Sequence, residues 1–156
     1  MGRVFLGLAL IALLGLGLGP SHTAEGHELR AHGLRVFASP SWHVTNQSFA
    51  DCTAPVQVLA TTNAQLGPRP AFRGSAALVL VLEDHGVNPP SAYQPRTRFR
   101  LPAKSSQFES CCDQPAGPGY EFLFSDHGRD FYAFVYASQR SAADEAIAIL
   151  NTLRVT

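Results

Sequence analysis

Two short stretches carry the residue types from which catalytic or metal sites are made. The first is S-D-H-G-R-D, Ser125 to Asp130. Ser, His and Asp are the members of a hydrolytic triad, but a triad is defined by geometry and its members usually come from separate segments. No G-x-S-x-G elbow occurs in the chain. The plainer reading is a hairpin turn, in which Asp126 and Gly128 supply turn geometry and Arg129 pairs with Asp126 or Asp130. The second stretch, E-D-H-G (Glu83 to Gly86), repeats the Asp-His-Gly theme after another apolar run. With both turns at one end of a sheet, Asp84, His85, Asp126 and His127 would be the ligand types for a divalent metal. A metal-dependent enzyme is read from these two turns alone, and two ordinary strand-end turns explain the same residues. His27 and His32, with His22, fit no standard metal spacing, and no cofactor is expected.

Arg96, Arg98 and Arg100 alternate with Thr97, Phe99 and Leu101. On a strand this makes a positive stripe, which either binds an anion or is the solvated face of an edge strand. Tyr132, Phe134 and Tyr136 share one face of an aromatic run. They are core residues by default and the candidate ligand-binding surface otherwise.

The chain has three cysteines, Cys52, Cys111 and Cys112. A bond between the adjacent pair would close a strained ring. Pairing either with Cys52 closes a loop of roughly 60 residues, worth ~4 kcal/mol at best in the chain-entropy picture. If Ser110 to Cys112 is extended, Cys112 shares a face with Phe108. This favours Cys52–Cys112, with Cys111 in place of Cys112 as the alternative. The leftover thiol is either inert or a connector for a covalent homodimer. Three cysteines with a vicinal pair do not make a structural zinc pattern.

The compartment follows from the N-terminus. Arg3 precedes an apolar run, Val4 to Leu18, and then Gly19, Pro20 and small residues to Ala24. This is the layout of a signal peptide, residues 1–24, with cleavage after Ala24 or after Ser21. The run is shorter than the ~20 residues of a bilayer span, so no stable span is expected after cleavage. The expected location is secreted, periplasmic or otherwise extracytoplasmic, where disulfides persist. Formal charge is balanced, with 12 basic and 12 acidic residues. Nothing in that balance steers the protein to nucleic acid or to an anionic membrane.

Residues 25–33 read as a polar, flexible lead-in and 34–156 as a single domain. Strands are expected at Leu34–Ala38, Val56–Ala60, Ala77–Glu83, Thr97–Pro102, Tyr120–Phe124 and Phe131–Ala137. The Ala77–Glu83 run is apolar on both faces and suits a central position. The last two runs flank a six-residue loop and form a hairpin. Asn46-Gln47-Ser48 is a glycosylation sequon, and must lie on the surface if used. Ala143, Ala146, Ile147, Leu150 and Leu153 recur at helical spacing, with Ser141 and Asp144 as a capping pair. The expected fold is α+β: an antiparallel sheet of five or six strands with a C-terminal helix packed on one face.

Pro118 to Val155, P-G-Y-E-F-L-F-S-D-H-G-R-D-F-Y-A-F-V-Y-A-S-Q-R-S-A-A-D-E-A-I-A-I-L-N-T-L-R-V, resembles the C-terminal half of small secreted bacterial proteins that are mostly uncharacterised. R-V-F-A-S-P-S-W-H-V (Arg35 to Val44) is similar to their strand–Pro–x–Trp opening. Similar strand–helix endings occur in the PsbP-like α/β/α sandwich. The resemblance carries no catalytic motif. It implies a secreted sandwich with an accessory or binding role. The function expected is therefore non-catalytic binding in the cell envelope or extracellular space. Disulfide-mediated assembly and the metal-dependent enzyme are the alternatives.

Overall fold

The computed structural model describes residues 26–49, 54–68, 70–109 and 115–156. The expected signal peptide and all three cysteines, Cys52, Cys111 and Cys112, lie outside the described residues.

In chain order the elements are β1 (His27–Ala31), β2 (Leu34–Ala38), β3 (His43–Val44), β4 (Val56–Thr62), β5 (Ala77–Asp84), a short 3-10 turn at Pro90–Ala92, β6 (Gln94–Pro95), β7 (Ser106–Phe108), β8 (Gly117–Asp126), β9 (Arg129–Ala137), α1 (Arg140–Leu150) and β10 (Arg154–Val155). The α+β class is as expected. The sheet arrangement differs. One sheet has seven strands, in the order β3-β4-β5-β9-β8-β6 with β7 also on β8. A second has three, β1-β2-β10. The β6–β8 pair is parallel. Strands as short as two or three residues have too little sequence to show a period, which is why the single sheet of five or six strands undercounts them.

β5 is the central strand, flanked by β4 and β9. Its residues from Ala77 to Leu82 are fully buried. Both faces are covered, so no polar position interrupts the run. On one face Val79, Val81, Phe131, Ala133 and Val135 meet α1 and the small sheet. On the other, Leu78, Leu80, Leu82, Tyr132, Phe134 and Tyr136 lie under loop residues Phe49, Phe72 and Tyr93. The division has a steric reason. Ala133, Val135 and Ala137 are short and let the alanines of α1 (Ala142, Ala143, Ala146) come close, while the aromatic residues fill the wider space beneath the loops.

Two tight turns share one chemistry. β1 and β2 are joined by His32-Gly33, with φ of 45° and 75°, and β8 and β9 by His127-Gly128, with φ of 52° and 74°. Positive φ at both positions is the type I′ hairpin turn. Histidine tolerates the left-handed region better than most residues with a Cβ, and glycine enters it at no steric cost. The six-residue loop expected at Ser125 to Asp130 is thus a two-residue turn, and the strands run to its edge.

Three further expectations change. The stretch expected as a lead-in contains β1, which pairs with β2 along its whole length. Residues 97–102, expected as a strand, form none. The side chain of Asn151 instead serves as a backbone partner for Phe99, accepting from its N–H at 2.8 Å and donating to its carbonyl at 3.1 Å. Helix α1 starts at Arg140 with Gln139 at the cap and no side-chain cap bond, so Ser141 lies inside it. Asp144 pairs with Arg140 one turn back, at 3.2 Å.

Candidate functional site

The register places the two Asp-His-Gly turns at the same end of the large sheet, because Asp84 sits opposite Asp130 on β9 and Asp126 opposite Arg129. Their side chains nevertheless diverge. Alternation sends Asp126 toward the α1 side and Asp84 toward the loop side. Asp84 closes its own turn, accepting from the N–H of Val87 at 2.6 Å and of Asn88 at 3.0 Å. It also accepts the Tyr93 hydroxyl, and Asn88 Nδ2 donates to the Tyr132 hydroxyl. Burial pushes the Asp84 carboxyl up, but these donors outweigh it and hold the group below the usual aspartate range. Tyr93 is pushed well above the ordinary phenol value by burial and by its bond to Asp84. Asp126 is held by Arg96 Nε at 2.8 Å and by His127 Nδ1 at 2.9 Å. Among the described residues no three His, Cys, Asp or Glu side chains converge as a metal ion requires. The set Asp84, His85, Asp126 and His127 is therefore not one site: strand parity puts Asp84 on the opposite side from Asp126, His127 is taken up by Asp126, and His85 is turned toward Glu83. The same parity separates Ser125 from Asp126, so the triad geometry does not form.

What meets at this end is a structural clasp. Arg129 makes a two-pronged pair with Glu83, at 2.8 and 2.7 Å, and stacks over the Phe131 ring at 5.1 Å. His85 Nε2 lies 3.7 Å from the same carboxylate. The hydrogen bond from Arg129 holds Glu83 below the usual glutamate range, and Glu83 raises Arg129 in turn. Arg129 also reaches the His32 carbonyl at 3.5 Å, tying one His-Gly turn to the other. Tyr132, Phe134 and Tyr136 are buried. Tyr93 packs edge-on to Tyr132, and Phe72 and Phe108 pack on Tyr136. These three residues are the floor of the second core and not an open binding face.

The concave surface lies elsewhere, around the end of α1. A groove of about 520 Å³ runs between residues 96–98 and the helix end, lined by Arg96, Thr97, Arg98, Ala148, Asn151 and Arg154. A second, about 440 Å³, shares Asn151 and Arg154 and adds Glu28, Arg35, Phe37 and Thr152. The small sheet explains the charge here. Arg35 of β2 is opposite Arg30 of β1 on one side and Arg154 of β10 on the other. Residues directly opposite project from the same face, so three arginines form one rung across three strands. Glu28 is the carboxylate that answers them, paired with Arg30 and lying 3.6 Å from Arg35. Arg96 is neutralised by Asp126. Arg98 and Arg154 have no carboxylate partner among the described residues. This surplus is local, since the chain as a whole is formally neutral.

Sequence reading reached Arg96 and Arg98 as an anion stripe but assigned them to a strand. Arg30, Arg35 and Arg154 were missed as a group, because Arg30 fell in the expected lead-in, Arg35 in the first expected strand and Arg154 just after the helical pattern, with nothing local to join them. The alternation in H-E-L-R-A and L-R-V-F-A was the available signal: each puts an arginine on its outer face. No family model, no curated protein and no solved structure matches this chain.

Proposed function

We propose that this is an exported, non-catalytic binding domain, and that its ligand is an anion held on the arginine face of the small sheet and the adjoining groove. One observation carries the reading. Like charges directly opposite each other on neighbouring strands are destabilising, and here three stand in a row with one carboxylate among them. An arrangement that costs stability in the free protein is explained if a bound anion relieves it. Guanidinium groups suit that task, since each presents paired donors to a carboxylate, phosphate or sulfate. The polar residues of the Asp-His-Gly turns, by contrast, are spent on the clasp and on turn closure.

The export part of the proposal rests on the N-terminal sequence and on the resemblance to small secreted bacterial proteins and, beyond them, to the PsbP-like sandwich. The segments that carry the resemblance supply core: Trp42 is buried beside α1, and its indole N–H donates to Glu145 at 2.8 Å. Expression in a secreting bacterial host should yield a mature N-terminus at Glu25 or His22, read by intact mass. A product that retains residues 1–24 would refute export by this route.

The binding part is tested by Arg154→Gln and Arg98→Gln. Both should weaken binding of a polyanion, measured by calorimetry, about tenfold or more. Arg154→Gln should at the same time leave the unfolding free energy unchanged or raise it by up to ~1 kcal/mol. Loss of stability with unchanged binding would sink the proposal, because the arginine would then be structural.

A further inference from the structure

The arginine face continues into an aromatic one. Phe37 is 53% exposed although its neighbours Val36 and Ala38 are buried. It lies on the outer face of β2, two residues from Arg35, and lines the second groove. Beyond it is a shallow trough of about 280 Å³ whose lining includes Ala38, Ser39, Glu145, Ala148 and Ile149. The ring is not on a loose loop. Thr152 Oγ1, just before β10, accepts from the Phe37 N–H at 2.7 Å and donates its proton to the Ile149 carbonyl at 2.7 Å, which ties the Phe37 backbone to the end of α1. A large exposed apolar ring on an anchored strand, between a cationic groove and a trough whose lining includes Ser39 and Glu145, suits a ligand with three properties. It must carry a negative charge, present a flat apolar face and offer hydroxyl groups.

We infer that the ligand is an acidic saccharide, a chain of uronic-acid type, with a carboxylate on the Arg35/Arg154/Arg98 side and a sugar ring stacked on Phe37. This inference rests on the anion-binding proposal and narrows it. The C–H face of a pyranose is apolar and flat enough to cover a phenyl ring. Its hydroxyls need both donors and acceptors. Thr97 can supply either, and Glu28 and Glu145 supply acceptor oxygens on either side of Phe37. Glu145 already accepts from Trp42 and Ser39 through one oxygen, which fixes the carboxylate in place. Those acceptors are what disfavour an amphiphile such as a fatty acid, whose chain would have to lie against two carboxylates. A simple inorganic anion would leave Phe37 with nothing to do.

The test is calorimetric or NMR titration of the purified protein with four probes. These are an oligogalacturonate, the same oligomer with its carboxylates methyl-esterified, sodium sulfate, and laurate. The oligogalacturonate should bind at least about tenfold more tightly than the ester or sulfate. Phe37→Ala should weaken it about fivefold to tenfold and leave sulfate unchanged. Phe37→Trp should keep binding and report it by fluorescence, which guards against a trivial loss of folding. Sulfate binding as tightly as the oligomer, with Phe37→Ala silent, would overturn the saccharide inference while the anion proposal stands. Tighter binding of laurate would overturn it in favour of an amphiphile. Binding of none of the four, or binding insensitive to Arg98→Gln and Arg154→Gln, would bring down both readings.

Discussion

Glu83, which opens the E-D-H-G stretch, illustrates how a partly buried carboxylate is used for structure. Its carboxylate is gripped by Arg129 through two bonds of ordinary length and lies within range of His85. Glu83→Gln removes the charge but keeps the shape, and should cost about 1–3 kcal/mol in urea unfolding. Both Glu83 and Asp84 are held below their ordinary values in the folded protein. The sign follows directly. A depressed folded pKa means that the unfolded chain binds protons first, so the stabilisation is complete above the unfolded carboxylate value of roughly 4 and is lost as pH falls through the folded one. Unfolding free energy should therefore drop from about pH 4 downward. The acid limb should flatten in the double variant Glu83→Gln/Asp84→Asn. A wild-type acid limb retained in full by that variant would place the acid sensitivity in other groups.

At the scale of elements, the recurring device is a His-Gly pair that turns a strand back on itself. The turn at His127-Gly128 needs a left-handed conformation at its second residue, where φ is 74°, and nothing crowds that position. Gly128→Ala should then cost about 1–2 kcal/mol from backbone strain alone. His127→Gly, or His127→Asn, should be close to neutral, since each tolerates positive φ. The comparison is clean because Gly128 has no neighbour within 4 Å of an added Cβ. Asn151 is the second informative position. It substitutes for a missing strand by bonding both backbone groups of Phe99, and it lines both arginine grooves. Asn151→Ala should destabilise by about 1–3 kcal/mol, and should loosen the segment carrying Arg96 and Arg98. Faster amide exchange at Phe99, without change at β5, is the expected signature.

Taken whole, the molecule is a sheet with two unlike coverings. Helix α1 and a three-stranded sheet cover one face, and loops carrying Phe49, Phe72 and Tyr93 cover the other. The second covering has the look of a lid, but its contents behave as core: Leu78, Leu80 and Leu82 are as inaccessible there as Val79 and Val81 are on the helix side. Leu80→Ala should cost about 2–5 kcal/mol, within the range for an interior cavity. A cost below about 1 kcal/mol would mean that the loops collapse onto the gap and that this layer is not packed as described.

The sequence alone settled what depends on local pattern. The continuous apolar run from Ala77 to Leu82 suited a central strand covered on both faces. The alternation in Phe131 to Ala137 assigned its two faces, and the alanine-rich helical spacing placed α1 on the sheet. A turn around Gly128 was legible in the sequence, although the strands run closer to it than the aromatic runs suggested and the matching turn at His32-Gly33 lay in the expected lead-in. Tertiary structure decided everything that depends on which strands are neighbours. Arg30, Arg35 and Arg154 are up to 124 positions apart in the chain and become one rung only because β10 adds to the β1–β2 hairpin. Asp84 and Asp126 look like a pair in the sequence and are divided by the sheet between them. Alternation along a strand is a local property, whereas strand register and partner choice are set by the burial of the whole apolar surface. The candidate binding face is a product of that second kind of information.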